Sequence, residues 1–297
     1  MSKEQKRKGI ILAGGNGTRL SPLTVSISKQ LLPIFDKPMI MYPLSTLMLA
    51  GIKEILIITN LRNLELFERL LGNGHYLGIN INYAVQENPN GIAESFIIAS
   101  EFIKGSPVAL ILGDNLFYGT NLVKKLEYAN QTFKRNTIFA YQVNDPERYG
   151  VVTFDNNGKA IQIEEKPIKS KSKYAITGLY FYDNSILEKA KQIKPSKRGE
   201  LEISAINQLY LDEQNLNVES LGRGMLWMDM GTFDSLHQAS SYVSTIEKRQ
   251  GLKICCPEEI SWRQGWISDQ ALKDYADNLV NEEYKDYFLD ILSNQVN

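Results

Sequence analysis

Cysteine and histidine are nearly missing from this chain of 297 residues: Cys255 and Cys256 stand side by side, and His75 and His237 lie far apart. Adjacent cysteines cannot staple distant segments, so a disulfide framework is excluded, and the set is too small for a Cys/His zinc site. An excess of one charge is also absent. The 33 Lys and Arg against 34 Asp and Glu leave a formal net charge of −1. Nucleic acid and anionic membranes are bound through clustered Lys and Arg, so neither is an expected partner. The one basic cluster, Lys3 to Lys8, is interrupted by Glu4 and Gln5 and is expected to be a solvated tail. The longest apolar stretch, Pro38 to Ile52, is fifteen residues and contains Pro43, Ser45 and Thr46; roughly twenty are needed to span a bilayer. Ile10 to Ala13 is too short for a signal-peptide core. These absences lead to the expectation of a cytoplasmic protein.

What remains is the composition of a globular chain with a large core: 43% apolar residues, 21 Gly and 10 Pro. Apolar runs at Lys8 to Ala13, Glu54 to Thr59, Ile79 to Val85, Val108 to Gly113 and Thr137 to Val143 predict strands covered on both faces. Helical spacing separates them, at Pro43 to Ala50, Asn63 to Leu71, Ile92 to Ile103 and Asn121 to Phe133. Such alternation predicts an α/β fold with a doubly wound, mostly parallel sheet, whose ligands sit at the carboxyl ends of the strands. From Tyr149 a hairpin turning at Asn156-Asn157-Gly158 is predicted, then a strand at Tyr174 to Tyr182. Helices follow near Asn184 to Ile193 and Leu201 to Glu213, then over Phe233 to Arg249, with two more from Ser268 onward. There is no internal repeat, and no hexapeptide period after Gly251 that would signal a β-helix.

The first strand runs into Gly14-Gly15-Asn16-Gly17-Thr18-Arg19, with Lys29 ten residues on. Glycines let a backbone close around phosphate, and Arg and Lys supply the charge. A dinucleotide fingerprint would need Gly where Leu20 stands, and a P-loop would need Gly-Lys-Ser/Thr at Gly17-Thr18-Arg19. Asp114, just past the fourth strand, and Asp229, between an apolar run and a helix start, are each either a ligand for Mg²⁺ or a helix cap. Glu165-Lys166-Pro167 and Arg198 add a carboxylate and two cations.

The run Gly9 to Leu20, with Ser28 to Pro33 and Asp36 to Met39, resembles the sugar-phosphate nucleotidylyltransferases. Pro43 to Gly51, Asp145 to Val152, Glu164 to Pro167, Thr177 to Asp183, Arg198 to Ile203, and Arg249 to Lys253 with Cys256 to Ile260 narrow the resemblance to the bacterial thymidylyltransferases that act on glucose 1-phosphate. It covers Lys8 to about Leu292. It implies a Rossmann-like mixed sheet flanked by helices, with a small β-hairpin sugar-binding portion and C-terminal helices. Residues 1–250 would form the core, with a nucleotide half at about 1–145 and a sugar-phosphate half at about 146–230; residues 251–297 would form a helical extension.

The resemblance also implies roles. Gly14, Gly17, Thr18 and Arg19 would hold the triphosphate of dTTP, with Lys29 and Gln30 beside it, and Gln86 and Gly91 would read the thymine. Asp114 and Asp229 would ligate Mg²⁺, making Arg19, Lys29, Asp114 and Asp229 the catalytic set. Asn115, Tyr149, Gly150, Glu165 and Thr177 would hold the sugar, and Lys166 and Arg198 its phosphate. A homotetramer is implied, inhibited by a dTDP-sugar end product at Tyr118, Gly119, Arg223, Glu259, Ile260 and Arg263. The product, dTDP-glucose, would feed dTDP-L-rhamnose or another dTDP-deoxysugar. Four positions depart from the family pattern: Met230 for Thr, Glu94 for Gln, Ala205 for Asp and Thr120 for His. The rivals are a relative using UTP or another sugar phosphate, and a non-catalytic nucleotide-sugar sensor of the same fold.

Overall fold

Alternate residues of the first strand bury into two different cores: Ile11 and Ala13 face one and Ile10 the other, all fully buried. This is the signature of a strand at the centre of a sheet covered on both sides. The structure, a computed structural model, describes residues 6–133 and 135–294. Its elements are, in order, β1 (Lys8–Ala13), the short hairpin β2 (Pro33–Ile34) and β3 (Lys37–Pro38), α1 (Met41–Leu49), β4 (Glu54–Thr59), α2 (Leu64–Leu71) and β5 (Asn80–Val85). Then come α3 (Glu94–Ile98), α4 (Ser100–Ile103), β6 (Val108–Leu112), β7 (Asn115–Gly119), α5 (Leu122–Gln131) and β8 (Asn136–Gln142). The hairpin β9 (Gly150–Phe154) and β10 (Ala160–Glu165) leads to β11 (Tyr174–Tyr182), α6 (Ile186–Gln192) and α7 (Ile203–Asp212). The chain closes with β12 (Leu216–Leu221), β13 (Met225–Asp229), α8 (Phe233–Gln250), α9 (Pro257–Arg263), α10 (Asp269–Asp277) and α11 (Glu282–Asn294).

The nine-stranded sheet is parallel along β6-β1-β4-β5 and again between β8 and β12. The long β11 runs antiparallel to all its neighbours. The direction of the crossovers reverses between β1 and β6, which opens a crevice at the carboxyl ends of these two strands. A second break lies on β11. One edge of β11 pairs with β8, while its other edge pairs with β9 at Tyr174 and Ala175 and with β6 from Leu179 to Tyr182. Ile176 to Gly178 lie between these two partners, so the sheet forks there.

Several expectations change. Arg7 is not in a solvated tail: it is buried, donating to the carbonyls of Val108, at 3.0 Å, and Tyr182, at 2.6 Å. Its guanidinium stacks on Phe133 and Phe181. Residues 3–5 of that cluster lie outside the described residues. The helix expected over Ile92 to Ile103 is broken at Ala99, whose ψ of 5° interrupts the ladder. The strands β7 and β12 and the helix α9 were not foreseen. No described helix is long and apolar enough to cross a membrane.

Candidate active site

Gly17 holds φ +62°, the left-handed region that glycine enters without steric cost, and the chain then winds into a single turn at Thr18–Leu20. A Cβ at Gly17 would stand 2.9 Å from Thr24 Cγ2 and 3.3 Å from Lys29 Cβ. The loop is therefore folded back on the segment that carries Lys29. Gln30 is buried beneath Gly113, where a Cβ would come within 2.9 Å of its Cγ, and it accepts a hydrogen bond from Ser28 Oγ.

Asp114 and Asp229 converge because β7 and β13 pair antiparallel, with Asn115 opposite Asp229, and the Met230 N–H donates to the Asp114 carbonyl. Lys29 Nζ pairs with Asp114. Burial pushes the Asp114 carboxyl up, but the Lys29 ammonium and the hydrogen bonds from Lys29 and Asn115 outweigh it and hold the group below the ordinary range. Asp229 goes the other way. Burial, and then the neighbouring Asp114 carboxylate, push it up to about 6 against the attraction of Lys29, Arg19 and Arg148. Two adjacent carboxylates, one buried and paired with Lys29 and the other pushed up to about 6 by burial and then by its neighbour, are a donor set that suits a hard divalent cation, which takes one or two carboxylates plus phosphate oxygens. Among the described residues no third His, Cys, Asp or Glu completes a protein cage. Gly231 sits under this pair: a Cβ there would meet Arg19 Nη2 at 2.8 Å and Asp229 Oδ1 at 2.9 Å. Met230, the first departure, is fully buried in the core behind β13 and takes no part in the site.

A cavity of about 390 Å³ opens at the fork of the sheet. Of the residues expected from the sequence, Arg19, Asp114, Asn115, Tyr149, Gly150, Glu165, Lys166, Arg198 and Asp229 line it. Asn115 is its hub. The Asn115 Oδ1 accepts from the Gly178 N–H at 3.0 Å and from Trp227 Nε1 at 2.6 Å. Trp227 in turn packs edge-on against Tyr149 with ring centroids 5.2 Å apart. Also in the lining, Arg198 pairs with Glu165 at 3.6 Å and with Glu202 at 3.4 Å, and Lys166 with Glu165 at 3.6 Å. Lys166 holds φ +41°, a costly conformation for a side-chain-bearing residue. Burial and the Glu202 charge raise the Glu165 carboxyl above its usual value, against Lys166, Ser204 and Arg198.

Lys29, Gly14, Gly17, Thr18, Gln30, Gln86 and Gly91 lie outside this cavity's lining. Gly14 and Gln86 nevertheless meet: a Cβ on Gly14 would stand 2.6 Å from Gln86 Oε1. Gly91, at φ +116°, is pressed against the Leu201 backbone. Thr177 is fully buried between Ile176 and Gly178, and among the described residues its hydroxyl finds no partner. The six residues expected at a second site fall into two groups. Tyr118 and Gly119 lie on β7, where Gly119 pairs with Met225, two residues past the exposed Arg223. Glu259, Ile260 and Arg263 lie on α9, where Arg263 Nε donates to Glu259 at 2.7 Å and Ile260 joins the main core. Sequence reasoning missed Trp227, Arg148, Ser204 and Asn207, which also line the cavity. Trp227 had a signal, since it stands two residues before Asp229 on one strand and shares its face.

The sequence profile of the nucleotidyl transferase family matches residues 8–245. The chain belongs to the nucleotidyl transferase family. It is 55% identical to the glucose-1-phosphate thymidylyltransferase of Neisseria meningitidis serogroup A, over 96% of this chain and 99% of that protein. It is 54% identical to the enzyme of the same name from Xanthomonas campestris pv. campestris, over 95% of this chain and 96% of that one. Among solved structures, a Bacillus anthracis protein in complex with sucrose superposes with a TM-score of 0.73 at 39% identity, covering 80% of this chain and 94% of that one. The nucleotidyl transferase match ends before α9, so the C-terminal helices fall outside the stretch that defines the family.

Proposed function

We propose that the chain joins dTTP to α-D-glucose 1-phosphate in the cytoplasm, giving dTDP-glucose and pyrophosphate. The observation that carries this reading is the cavity at the fork, whose lining brings Asp114, Asp229 and Arg19 together with Lys166 and Arg198. Two cations suit a sugar phosphate, and an arginine beside two carboxylates suits a metal-bound triphosphate. Membership of the family and near-full-length relatives named for this reaction support it.

The acceptor is already a phosphate dianion, so no strong general base is needed, and the obstacle is the repulsion between two anions. Lys166 and Arg198 hold the sugar phosphate, while Asn115, Tyr149, Gly150, Glu165 and Thr177 hold the sugar. Gly14, Gly17 and Thr18 cradle the triphosphate, with Lys29 and Gln30 beside it. A phosphate oxygen of glucose 1-phosphate attacks the α-phosphorus in line; the new P–O bond forms as the bond to the β-phosphate oxygen breaks, and pyrophosphate leaves with the electron pair. Arg19 stabilises the charge that develops on it. Mg²⁺, held by Asp114 and Asp229, supplies charge neutralisation when bound. Gln86 and Gly91 meet the thymine.

The test is a matrix of nucleoside triphosphates against sugar 1-phosphates with pyrophosphate release as readout. Turnover confined to another pair would overturn the assignment. In the same assay Gly178→Ala should lower kcat/KM for glucose 1-phosphate by about 100-fold. Its new methyl would stand 2.6 Å from Asn115 Oδ1 and 2.8 Å from Leu112, displacing the hub while the core strands keep their pairing. The same reading extends to a homotetramer inhibited by a dTDP-sugar. Arg263→Ala should lose that inhibition and keep catalysis, because a coupling between separate sites can be removed without touching the chemistry.

A further inference from the structure

The hairpin β2–β3 has two residues in each strand and forms a sheet of its own. A ribbon that short does not hold its shape alone. Phe35, at its tip, takes φ +59°, which is costly for a bulky residue. What fixes the hairpin is a cluster of charges behind it. Asp36 Oδ1 accepts from Lys37 Nζ at 2.5 Å, and Asp36 Oδ2 accepts from Lys253 Nζ at 2.8 Å and from the Tyr284 hydroxyl at 2.9 Å. Lys37 Nζ also donates to Glu247 Oε1 at 3.2 Å, and the Lys253 ammonium lies over the Tyr284 ring, 4.1 Å from its centroid. Two carboxylates and two ammoniums, each side chain no more than 13% exposed, are thus gathered from the hairpin, the end of α8 and the segment after it, and α11 closes the group. This arrangement leads to the active site. Just past β3, the Met39 N–H donates to the Leu32 carbonyl at 2.9 Å and the Ile40 N–H to the Gln30 carbonyl at 2.8 Å. The turn at Lys29–Leu31 is therefore tied to the strand that the cluster holds, and from that turn Lys29 reaches Asp114.

From these contacts we infer that Asp36 is a positioning residue for Lys29: it joins the C-terminal helices to the hairpin, and the hairpin sets where the Lys29 ammonium stands. The inference rests on the proposed reading, in which that ammonium lies beside the triphosphate. Lysine is a point charge on a flexible four-carbon stem, so its worth to a phosphate depends on where its backbone is held. A misplacement of about 1 Å, caused far from the chemistry, is enough to cost activity. Buried ion pairs gain little stability over apolar packing, and here the cluster serves to fix one arrangement of the pieces that carry it. Lys253 and Tyr284 lie beyond residue 245, where the family match ends, so the helical extension has a share in the site.

The experiment is a double-mutant cycle on the full chain, with Asp36→Asn, Lys29→Met and the two combined. Calorimetry reads dTTP binding, pyrophosphate release with glucose 1-phosphate reads kcat, and circular dichroism checks that each variant is folded. Asp36→Asn should weaken dTTP binding about 5-fold and lower kcat about 10-fold, and change either by less than about 2-fold once Lys29 is replaced. Tyr284→Phe keeps the ring over Lys253 and removes only the bond from α11 to Asp36. It should show the same pattern at about 3-fold, and it carries the test if Asp36→Asn does not fold. Effects equal in the two backgrounds, or absent from both, would mean that the cluster only anchors the helices, and would overturn the inference. So would a Lys29→Met variant that binds dTTP as the unaltered protein does. If the unaltered protein binds dTTP and releases no pyrophosphate, the proposed reaction falls and the binding cycle alone decides the role of Asp36; if it binds no dTTP, both fall.

Discussion

Replacing Asp229 with asparagine should remove most turnover and, in metal-free buffer near pH 8, raise the melting temperature. The two effects share one cause. The Asp229 carboxyl is pushed from 3.8 to about 6, first by burial and then by Asp114, so its ionised form is held at a cost in the folded protein. A group whose folded pKa is raised favours the fold below its unfolded value, and that contribution is lost as pH rises through about 6. Above that pH the unliganded fold carries an unfavourable charge, and an amide of the same shape removes it. The gain is on the order of 1–3 kcal/mol, since each pKa unit corresponds to about 1.4 kcal/mol and the pair titrates together. Catalysis should fall by about 10²- to 10³-fold, the usual loss when one element of charge stabilisation is removed. Thermal unfolding at pH 5 and pH 8 in EDTA, with kcat at saturating Mg²⁺, checks both; a stability gain equal at the two pH values would refute the argument.

Asp114→Asn should lose activity to a similar degree and move stability in the opposite direction. Asp114 is ionised and paired with Lys29, and its carboxyl is held below its usual range despite burial. A depressed carboxyl contributes stability above its unfolded value, and that contribution is lost as pH falls through the folded one. The asparagine removes the carboxylate paired directly with the Lys29 ammonium, in a mostly buried position, at a cost of about 3 kcal/mol. Urea unfolding at neutral pH should therefore place the midpoint of Asp114→Asn below the parent protein and that of Asp229→Asn above it. Shifts of the same sign would show that the two carboxylates are not distinguished by Lys29.

That contrast shows where the sequence stops speaking. Each aspartate was visible at the end of an apolar run, because strands covered on both faces are locally legible. Their meeting was not, since it depends on β7 pairing with β13 across more than a hundred residues, and β7 had no signal of its own beside Asp114. Arg7 failed as a surface residue for a related reason. The carbonyls that satisfy it belong to Val108, Tyr182 and Ala129, none of them near in the chain. Trp227 went unread: its ring packs against Tyr141 and Tyr149, and only the Nε1–H, donated to Asn115 Oδ1, marks it as a support for Asn115. Lys166 and Arg198 stood out by residue type and local order and line the cavity, while of the glycine loop only Arg19 does.

The fork in β11 bears on how such a protein could be re-engineered. The hairpin β9–β10 touches the rest of the sheet through Tyr174 and Ala175, while the strands next to the phosphate loop are held by a separate length of β11 from Leu179 onward. Loop grafts or randomised libraries confined to residues 149–166 can therefore reshape the acceptor wall without shifting the register of β6, β1 and β4. The nucleotide side would act as a fixed chassis, and variants selected for new acceptors should retain the parent's donor preference.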